Sequence, residues 1–400
     1  MSRAGVIVKQ GTGYRAFIPV PLPPEPAIRV EGELLHWLSK ADRALGRLDG
    51  VTSNLPNPDL FVGMYVRQEA VLSSQIEGTQ STLEDVLAFE VEASGTNRPR
   101  DVEEVVNYVR AMRHGLARLT GEGEQAVLPL SLRLLREIHG ELMRGVRGQN
   151  RNPGEFRSSQ NWIGPEGSTL ATATFVPPPV PEMHTALGDL EMFLHERTLP
   201  DLVVCGLAHA QFETIHPFLD GNGRVGRLLV TFLLCEREVL GQPLLYLSHY
   251  LKRHRLEYYD RLTAIRQDGD WEGWLRFFLR GVFEVSQEAT RTARAVLALH
   301  EAHRAQVLKL PGKGNAELLD LLFWQPFVPV AFVAKRLGVS IPAASRTVER
   351  FQGLGLLREV TGFSRNRLYR YDPYLVLFEP PVPPVLREDA PDAERTQAAP

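Results

Sequence analysis

A mainly α-helical fold is predicted by three features of the sequence. Beyond a proline-rich stretch, Ile18-Pro19-Val20-Pro21-Leu22-Pro23-Pro24, apolar residues recur at helical spacing through most of the next two hundred positions. Alternating, strand-like runs are short and few. A chain of 400 residues that is 44% hydrophobic and 23% charged can bury many helix faces, in roughly two or three domains.

Charge and cysteine usage narrow the class further. The 45 basic side chains against 48 acidic ones leave a formal charge of −3, so no global attraction to nucleic acid or anionic lipid is expected, and any such binding is local. Cys205 and Cys235 lie inside apolar helical patterns without paired or zinc-type spacing and read as small buried hydrophobes in a reducing cytoplasm. The amino terminus turns polar before a signal peptide's apolar region is complete, and no stretch reaches roughly 18 uncharged apolar residues. A cytoplasmic protein without a membrane partner is the expectation.

Taken in order, the helical pattern is interrupted once in the main body. Asn161-Trp162-Ile163-Gly164 and Thr174-Phe175-Val176-Pro177-Pro178-Pro179 flank a glycine-containing turn and predict a small β-hairpin. Helical spacing resumes and continues through Glu257 to Leu262 and Trp271 to Leu279, until Pro311-Gly312-Lys313-Gly314 breaks it. Residues 1–100 are read as an N-terminal region and 101–310 as a core with a helical extension. From 311 to 378 the order is helix (Ala316 to Phe323), helix (Val330 to Leu337), turn at Gly338, helix (Ile341 to Phe351) and two short strands around Gly362, which resembles a winged helix-turn-helix domain. Residues 379–400, rich in proline, alanine and charge, are read as a disordered tail.

The chemistry concentrates between His216 and Arg227. Gly221-Asn222-Gly223-Arg224-Val225-Gly226 matches G-x-G-x-x-G, but a dinucleotide fingerprint needs a buried strand immediately upstream, whereas Leu202, Val203, Ala208, Phe212 and Ile215 trace a helix. What the segment supplies is a histidine, a carboxylate four residues on, a glycine turn and two arginines at the start of a new helix. These parts suit a polyphosphate. Backbone N–H groups of the turn converge on an anion in the favourable field of the helix dipole. Arg224 and Arg227, one turn apart, are expected on one helix face as phosphate clamps. Asp220 is an oxygen ligand of the kind Mg²⁺ prefers beside nucleotide phosphates, and His216, titrating near neutrality, suits a general base.

Residues 216–227 match the Fic family signature H-x-F-x-[D/E]-G-N-[G/K]-R-x-x-R at every specified position. The resemblance extends roughly from residue 17 to 285, and within it the predicted hairpin resembles the family's target-docking flap. The resemblance implies a Fic-type helical bundle that transfers AMP from ATP to a Tyr, Ser or Thr hydroxyl of a target protein, or of itself, and releases pyrophosphate. His216 would take the hydroxyl proton, Phe218 would anchor the loop, and Asp220 would hold Mg²⁺. Gly221, Asn222, the Gly223 backbone, Arg224, Val225 and Gly226 would cradle the phosphates, and Arg227 would meet the γ-phosphate. Tyr258 or Tyr259 would line the adenine pocket. Glycine at position 223, where phosphorylating members carry lysine, favours AMP transfer.

An inhibitory motif is implied as well. Ser73-Ser74-Gln75-Ile76-Glu77-Gly78 matches [S/T]-x-x-x-E-[G/N], with Ser73 and Glu77 on one helix face. By the resemblance Glu77 pairs with Arg227 and withholds it from ATP; the same glutamate with Mg²⁺ could position water to remove AMP. Between residues 311 and 378 nine basic residues face five acidic ones, with Arg346 and Arg350 on the third helix and Arg365 and Arg367 in the candidate wing. Contact with duplex DNA or with a protein partner are both open, and the rival class is a DNA-binding regulator whose Fic-like body senses nucleotide. Homo-oligomerisation is left open. His249 and His254 lack zinc-ligand context and read as structural.

Overall fold

The computed structural model describes residues 2–52, 58–91, 101–121, 126–146, 151–363 and 365–378. It opens with an antiparallel hairpin absent from the sequence expectation, β1 (Gly5–Lys9) and β2 (Arg15–Pro19), in register from Gly5 opposite Pro19 to Lys9 opposite Arg15. Strands this short carry little periodic signal, and what holds β2 is tertiary: Ala16 and Phe17 are buried, and the Phe17 N–H donates to the Val176 carbonyl at 2.9 Å.

Four helices follow, α1 (Gly32–Thr52), α2 (Pro58–Ile76), α3 (Leu83–Val91) and α4 (Val102–Thr120). α1 buries Leu34, Leu38, Ala41, Leu45 and Leu48, the single stripe expected of a helix packed on one side. Next come α5 (Leu132–Leu142), α6 (Val180–Leu194), α7 (Asp201–Ile215), α8 (Asn222–Glu236), α9 (Ser248–Arg253), α10 (Arg255–Asp268) and α11 (Trp271–Val307). Ser131 starts α5 by accepting from the Leu134 N–H at 3.4 Å. In α7 every residue from Leu202 to Ile215 is buried, so it has no polar face and sits at the centre of the body. The segment before the glycine motif is therefore a helix, and the strand that a dinucleotide fold needs is missing at that place.

The hairpin expected around 161–179 is reduced to one antiparallel bridge. Ile163 and Phe175 exchange N–H···O bonds of 2.8 and 3.0 Å. Pro165 on one side and Pro177 to Pro179 on the other have no N–H to donate, so the ladder cannot grow.

Beyond α11 the chain forms α12 (Asn315–Trp324), β3 (Phe327–Pro329), α13 (Val330–Leu337), α14 (Ile341–Gly353), β4 (Arg358–Glu359) and β5 (Leu368–Arg370). The helices match the expected positions to within two residues at their ends, and Gly338 turns between α13 and α14 with φ of +64°. The three strands form an antiparallel sheet in the order β3-β5-β4; β3, only three residues long, was not expected. Leu318, Val333, Val348 and Tyr371 share one core with Met64 of α2, Leu87 of α3 and Val296 of α11. A buried hydrogen bond from Gln325 to the Leu87 carbonyl at 3.0 Å and an ion pair of 2.7 Å between Arg370 and Glu84 bind the same seam. The tail expected at 379–400 lies outside the described residues. No helix of the described residues is long and apolar enough to cross a membrane.

Candidate functional site

α7 ends and α8 begins around the loop 216–221, and buried side chains from distant elements fix that loop. His216 caps α7 in the left-handed region, φ 49° and ψ 60°, with its N–H bonded to the Phe212 carbonyl at 2.9 Å. Its own carbonyl accepts from Arg157 Nε at 3.1 Å and Asn161 Nδ2 at 3.2 Å. Asn161 also reaches the Phe218 carbonyl at 2.9 Å, and the Arg157 N–H reaches the Pro217 carbonyl at 2.9 Å. Phe218 is fully buried, stacked on His139 with ring centroids 3.8 Å apart and planes 9° from parallel. His139 Nδ1 accepts the Gly154 N–H at 2.9 Å, so its proton is on Nε2, which donates to the Asp220 carbonyl at 3.1 Å. Burial pushes the His139 imidazole down to about 4, consistent with this neutral tautomer.

The turn depends on glycine at two positions. Gly221 caps α8 in the left-handed region with φ 76°, where an L side chain is strained. At Gly223 an added Cβ would fall 2.2 Å from Glu77 Oε1, so only glycine lets that carboxylate approach the helix start. The first N–H groups of α8 have no acceptor within the helix and point out at the same place, a ready anion site.

The segment from Ser73 to Gly78 meets this turn. Arg227, 3% exposed, donates from Nε to Ser73 Oγ at 2.7 Å, and from Nη2 to the Ser73 carbonyl at 3.0 Å and to Glu77 Oε1 at 2.6 Å. Burial would raise the Glu77 carboxyl, but the Arg227 charge and hydrogen bond outweigh it and hold Glu77 below the ordinary carboxylate value. Gly78 ends the segment with φ of +100°. One turn back on the same face, Glu69 is buried and accepts from Tyr108 Oη at 3.1 Å, from the Ser248 N–H at 3.1 Å and from Ser248 Oγ. Desolvation lifts its carboxyl to about 7 in spite of those bonds. Glu69 and Ser73 of α2 and Glu77 in the turn just after it thus form one stripe directed at α4, α8 and α9.

Several expected site residues stand differently in the structure. Arg224 and Arg227, three residues apart on α8, hold different partners: Arg224, 4% exposed along its side chain, is bonded to the equally buried Glu104 at 3.1 Å and lies 3.7 Å from Asp220 Oδ1, while Arg227 is held by Ser73 and Glu77. A cation so deeply buried requires a nearby carboxylate, and α4 supplies one. The Asn222 side chain is consumed by the loop, accepting the Phe218 N–H and donating to the Phe218 carbonyl, both at 2.8 Å. It staples the turn, leaving only its backbone for an anion. Tyr258 is core, 1% exposed, with its hydroxyl 2.9 Å from His209 Nε2 and its ring against Trp274. His209 Nδ1 in turn donates to the Gly226 carbonyl at 2.8 Å, so this pair braces α8 from below. Tyr259 is 42% exposed, with the Arg255 guanidinium 5.7 Å from its ring centroid. Val225 and Gly226 are buried within α8.

His216 also departs from its expected titration. Burial first, then the charges of Arg266 and Arg157, push the imidazole down to about 4, against an upward pull from Glu77. It is neutral throughout the neutral range and able to accept a proton. Its Nδ1 is buried without a hydrogen-bond partner. Glu213, one turn earlier on α7, has an unpartnered buried Oε1 and a carboxyl raised to about 7 by burial. Sequence reasoning passed over Glu213, Glu104, Arg157, Asn161, His139 and His209. The one local signal was a carboxylate at Glu213 within an otherwise apolar helical run.

Asp220 fits a divalent cation that also holds phosphates. Oδ1 accepts the Gly221 N–H at 2.6 Å, while its side chain is 42% exposed toward the turn. Among the described residues no cluster of three or more His, Cys, Asp or Glu is placed to hold a metal ion.

Residues 35–117 match the model described as "Fic/DOC family N-terminal", and residues 129–234 match that described as "Fic/DOC family". The chain thus carries Fic/DOC family domains. It is 29% identical over 177 residues to the protein adenylyltransferase Fic of Aedes aegypti, covering 44% of this chain and 31% of that one. It is 29% identical over 183 residues to a protein of Aquifex aeolicus named "probable protein adenylyltransferase", covering 45% of this chain and 51% of that one. The chain thus spans about a third to a half of the length of these curated relatives. Its fold is similar to the crystal structure of a Fic family protein from Desulfovibrio desulfuricans, with a TM-score of 0.54 over 86% of this chain and 97% of that one, at 20% identity.

Proposed function

We propose that this chain is a protein adenylyltransferase, held largely inactive at rest by Glu77. The observation that carries the reading is the convergence of His216, Asp220, the glycine-capped start of α8 and Arg227 on one turn, with Glu77 bonded to Arg227 at 2.6 Å. The hydroxyl oxygen of a target Tyr, Ser or Thr attacks the α-phosphorus of ATP, the bond to the β-phosphate bridging oxygen breaks, and pyrophosphate leaves. His216 accepts the hydroxyl proton. Its basicity is low in the empty site, and the negative charge of a triphosphate raises it toward the operating range. The free N–H groups of α8 receive phosphate oxygens, and Arg227 receives the γ-phosphate once Glu77 releases it. Asp220 would hold Mg²⁺, which neutralises charge on the phosphates. Tyr259 lines the nucleotide side. Removal of AMP would be a separate hydrolysis, in which Glu77 positions a water whose oxygen attacks the phosphorus of the modified target, the bond to the target oxygen breaks, and AMP and the free hydroxyl are released.

Label tests the reaction directly. Incubation with α-labelled ATP should leave label on protein, and γ-labelled ATP should leave none. Label arriving from the γ position alone would identify phosphoryl transfer and overturn the proposal.

A second reading concerns residues 311–378, which we propose form a winged helix-turn-helix unit. Of its nine cations, Arg358 and Arg370 pair with Asp372, Arg350 bonds Asn315 and Thr347, and Arg336 lies over the Trp324 ring at 4.7 Å. Lys313, Lys335, Arg346, Arg365 and Arg367 are exposed. If these five meet DNA phosphates, binding to a mixed-sequence duplex, followed by polarisation, should weaken with log salt at a slope of about −4. A flat salt response would point to protein docking in place of DNA.

A further inference from the structure

Arg266 on α10 lies outside the signature segment yet touches both sides of the reaction centre. Its Nε donates to Thr214 Oγ1 at 3.3 Å and its Nη2 to the Glu213 carbonyl at 3.4 Å. The Thr214 hydroxyl donates in turn to the Ala210 carbonyl at 2.8 Å. The guanidinium therefore grips the last turn of α7, where carbonyl dipoles favour a cation, immediately before His216. Its planar face lies over Phe175, with Cζ 3.8 Å from the ring centroid. Phe175 is the residue bridged to Ile163, and it also packs against Phe17 of β2 at 6.1 Å.

We propose that Arg266 is a positioning residue of the His216 centre: it locks the end of α7 and the Ile163–Phe175 segment to each other, so that His216 and that segment keep one relative orientation. The inference rests on His216 serving as the base in the proposed transfer. Arg266 is suited to the task because its fork and its flat face engage two elements at once, which a lysine cannot reproduce. The groups that face His216 are Arg266 from α10, Arg157 from the loop before the bridge, Glu77 from the turn after α2 and the backbone of Glu213 on its own helix. Removing Arg266 takes away the cation that lowers the imidazole more of the two, so His216 should also rise toward its ordinary value.

The test uses the full chain in a Glu77→Gly background. Arg266→Gln should slow self-labelling from α-labelled ATP by about tenfold at saturating nucleotide, with the KM for ATP changed less than about twofold. The acid limb of its pH profile should move upward. Arg266→Lys should restore the pH profile but only part of the rate. Phe175→Leu, which removes the stacking surface alone, should lower the rate without moving the profile, and it carries the test if the Gln variant does not fold. NMR titration of labelled histidine reads His216 without any turnover, so a wrong assignment of the reaction and a wrong role for Arg266 give different results. A His216 titration and a labelling rate unchanged in both Arg266→Gln and Phe175→Leu would overturn the inference.

Discussion

Glu77→Gly should raise AMP transfer from α-labelled ATP by on the order of 10- to 100-fold, a change of about 1.4 to 2.8 kcal/mol in favour of the competent state. The reason lies in the partners of Arg227. In the resting structure its Nη2 is shared by the Ser73 carbonyl and Glu77 Oε1, and its Nε is held by Ser73 Oγ. Removing the carboxylate leaves the two Ser73 contacts, which keep the side chain in place, and frees Nη2 for a phosphate oxygen. It also clears the space beside Gly223, where Glu77 Oε1 stands 2.2 Å from the position of a β-carbon, and removes a negative charge that repels a triphosphate. Glu77→Gln keeps the shape but not the charge and should fall between the two. Rates of labelling measured side by side decide the matter; equal rates in parent and Glu77→Gly would sink the idea that Glu77 restrains the enzyme.

His216→Ala in that activated background should lower transfer by about 10²- to 10⁴-fold, the range supplied by a positioned general base. ATP affinity measured by calorimetry should stay within about twofold, because the anion site is built from the start of α8 and Arg227. This separates the two classes of function. A nucleotide sensor needs the anion site but has no use for the imidazole: a parent that binds ATP yet takes no label would return the chain to the sensing class, and a His216→Ala variant that labels as fast as its parent would remove His216 from the chemistry. The neutral imidazole also sets the expected acid limit. With His216 held at about 4 by burial and by Arg266 and Arg157, the empty enzyme's base is not lost until the pH falls well below the ordinary histidine range.

How much of the site could be read in advance depended on the distance over which each contact is decided. The helix before the motif, the glycine-capped start of α8 and the pairing of Glu77 with Arg227 were all legible, the last because a second short motif marks the glutamate. The carboxylate partner of Arg224 and the grip of Ser73 on Arg227 were not. Arg224 is taken by Glu104 and Arg227 by Ser73 and Glu77, partners separated from them by well over a hundred residues. The adjacent tyrosines show the same limit. Successive residues on a helix point about 100° apart, so one of Tyr258 and Tyr259 must be the more buried. Only the position of His209 and Trp274 makes it Tyr258. The hairpin expected at 161–179 shrank to one bridge because its prolines lack donors, a fact already present in the residues but outweighed by their β-type composition.

Local sequence alone determined the succession of helices and the residue types gathered around the turn, because helix periodicity, capping and a twelve-residue loop are governed by near neighbours. The tertiary structure alone decided which of those polar groups are free to meet a substrate. Burial obliges each charge to find a partner, and for Arg224, Asn222, Tyr258 and His216 that partner or desolvating surface comes from elsewhere in the fold, so their availability and charge state follow from packing.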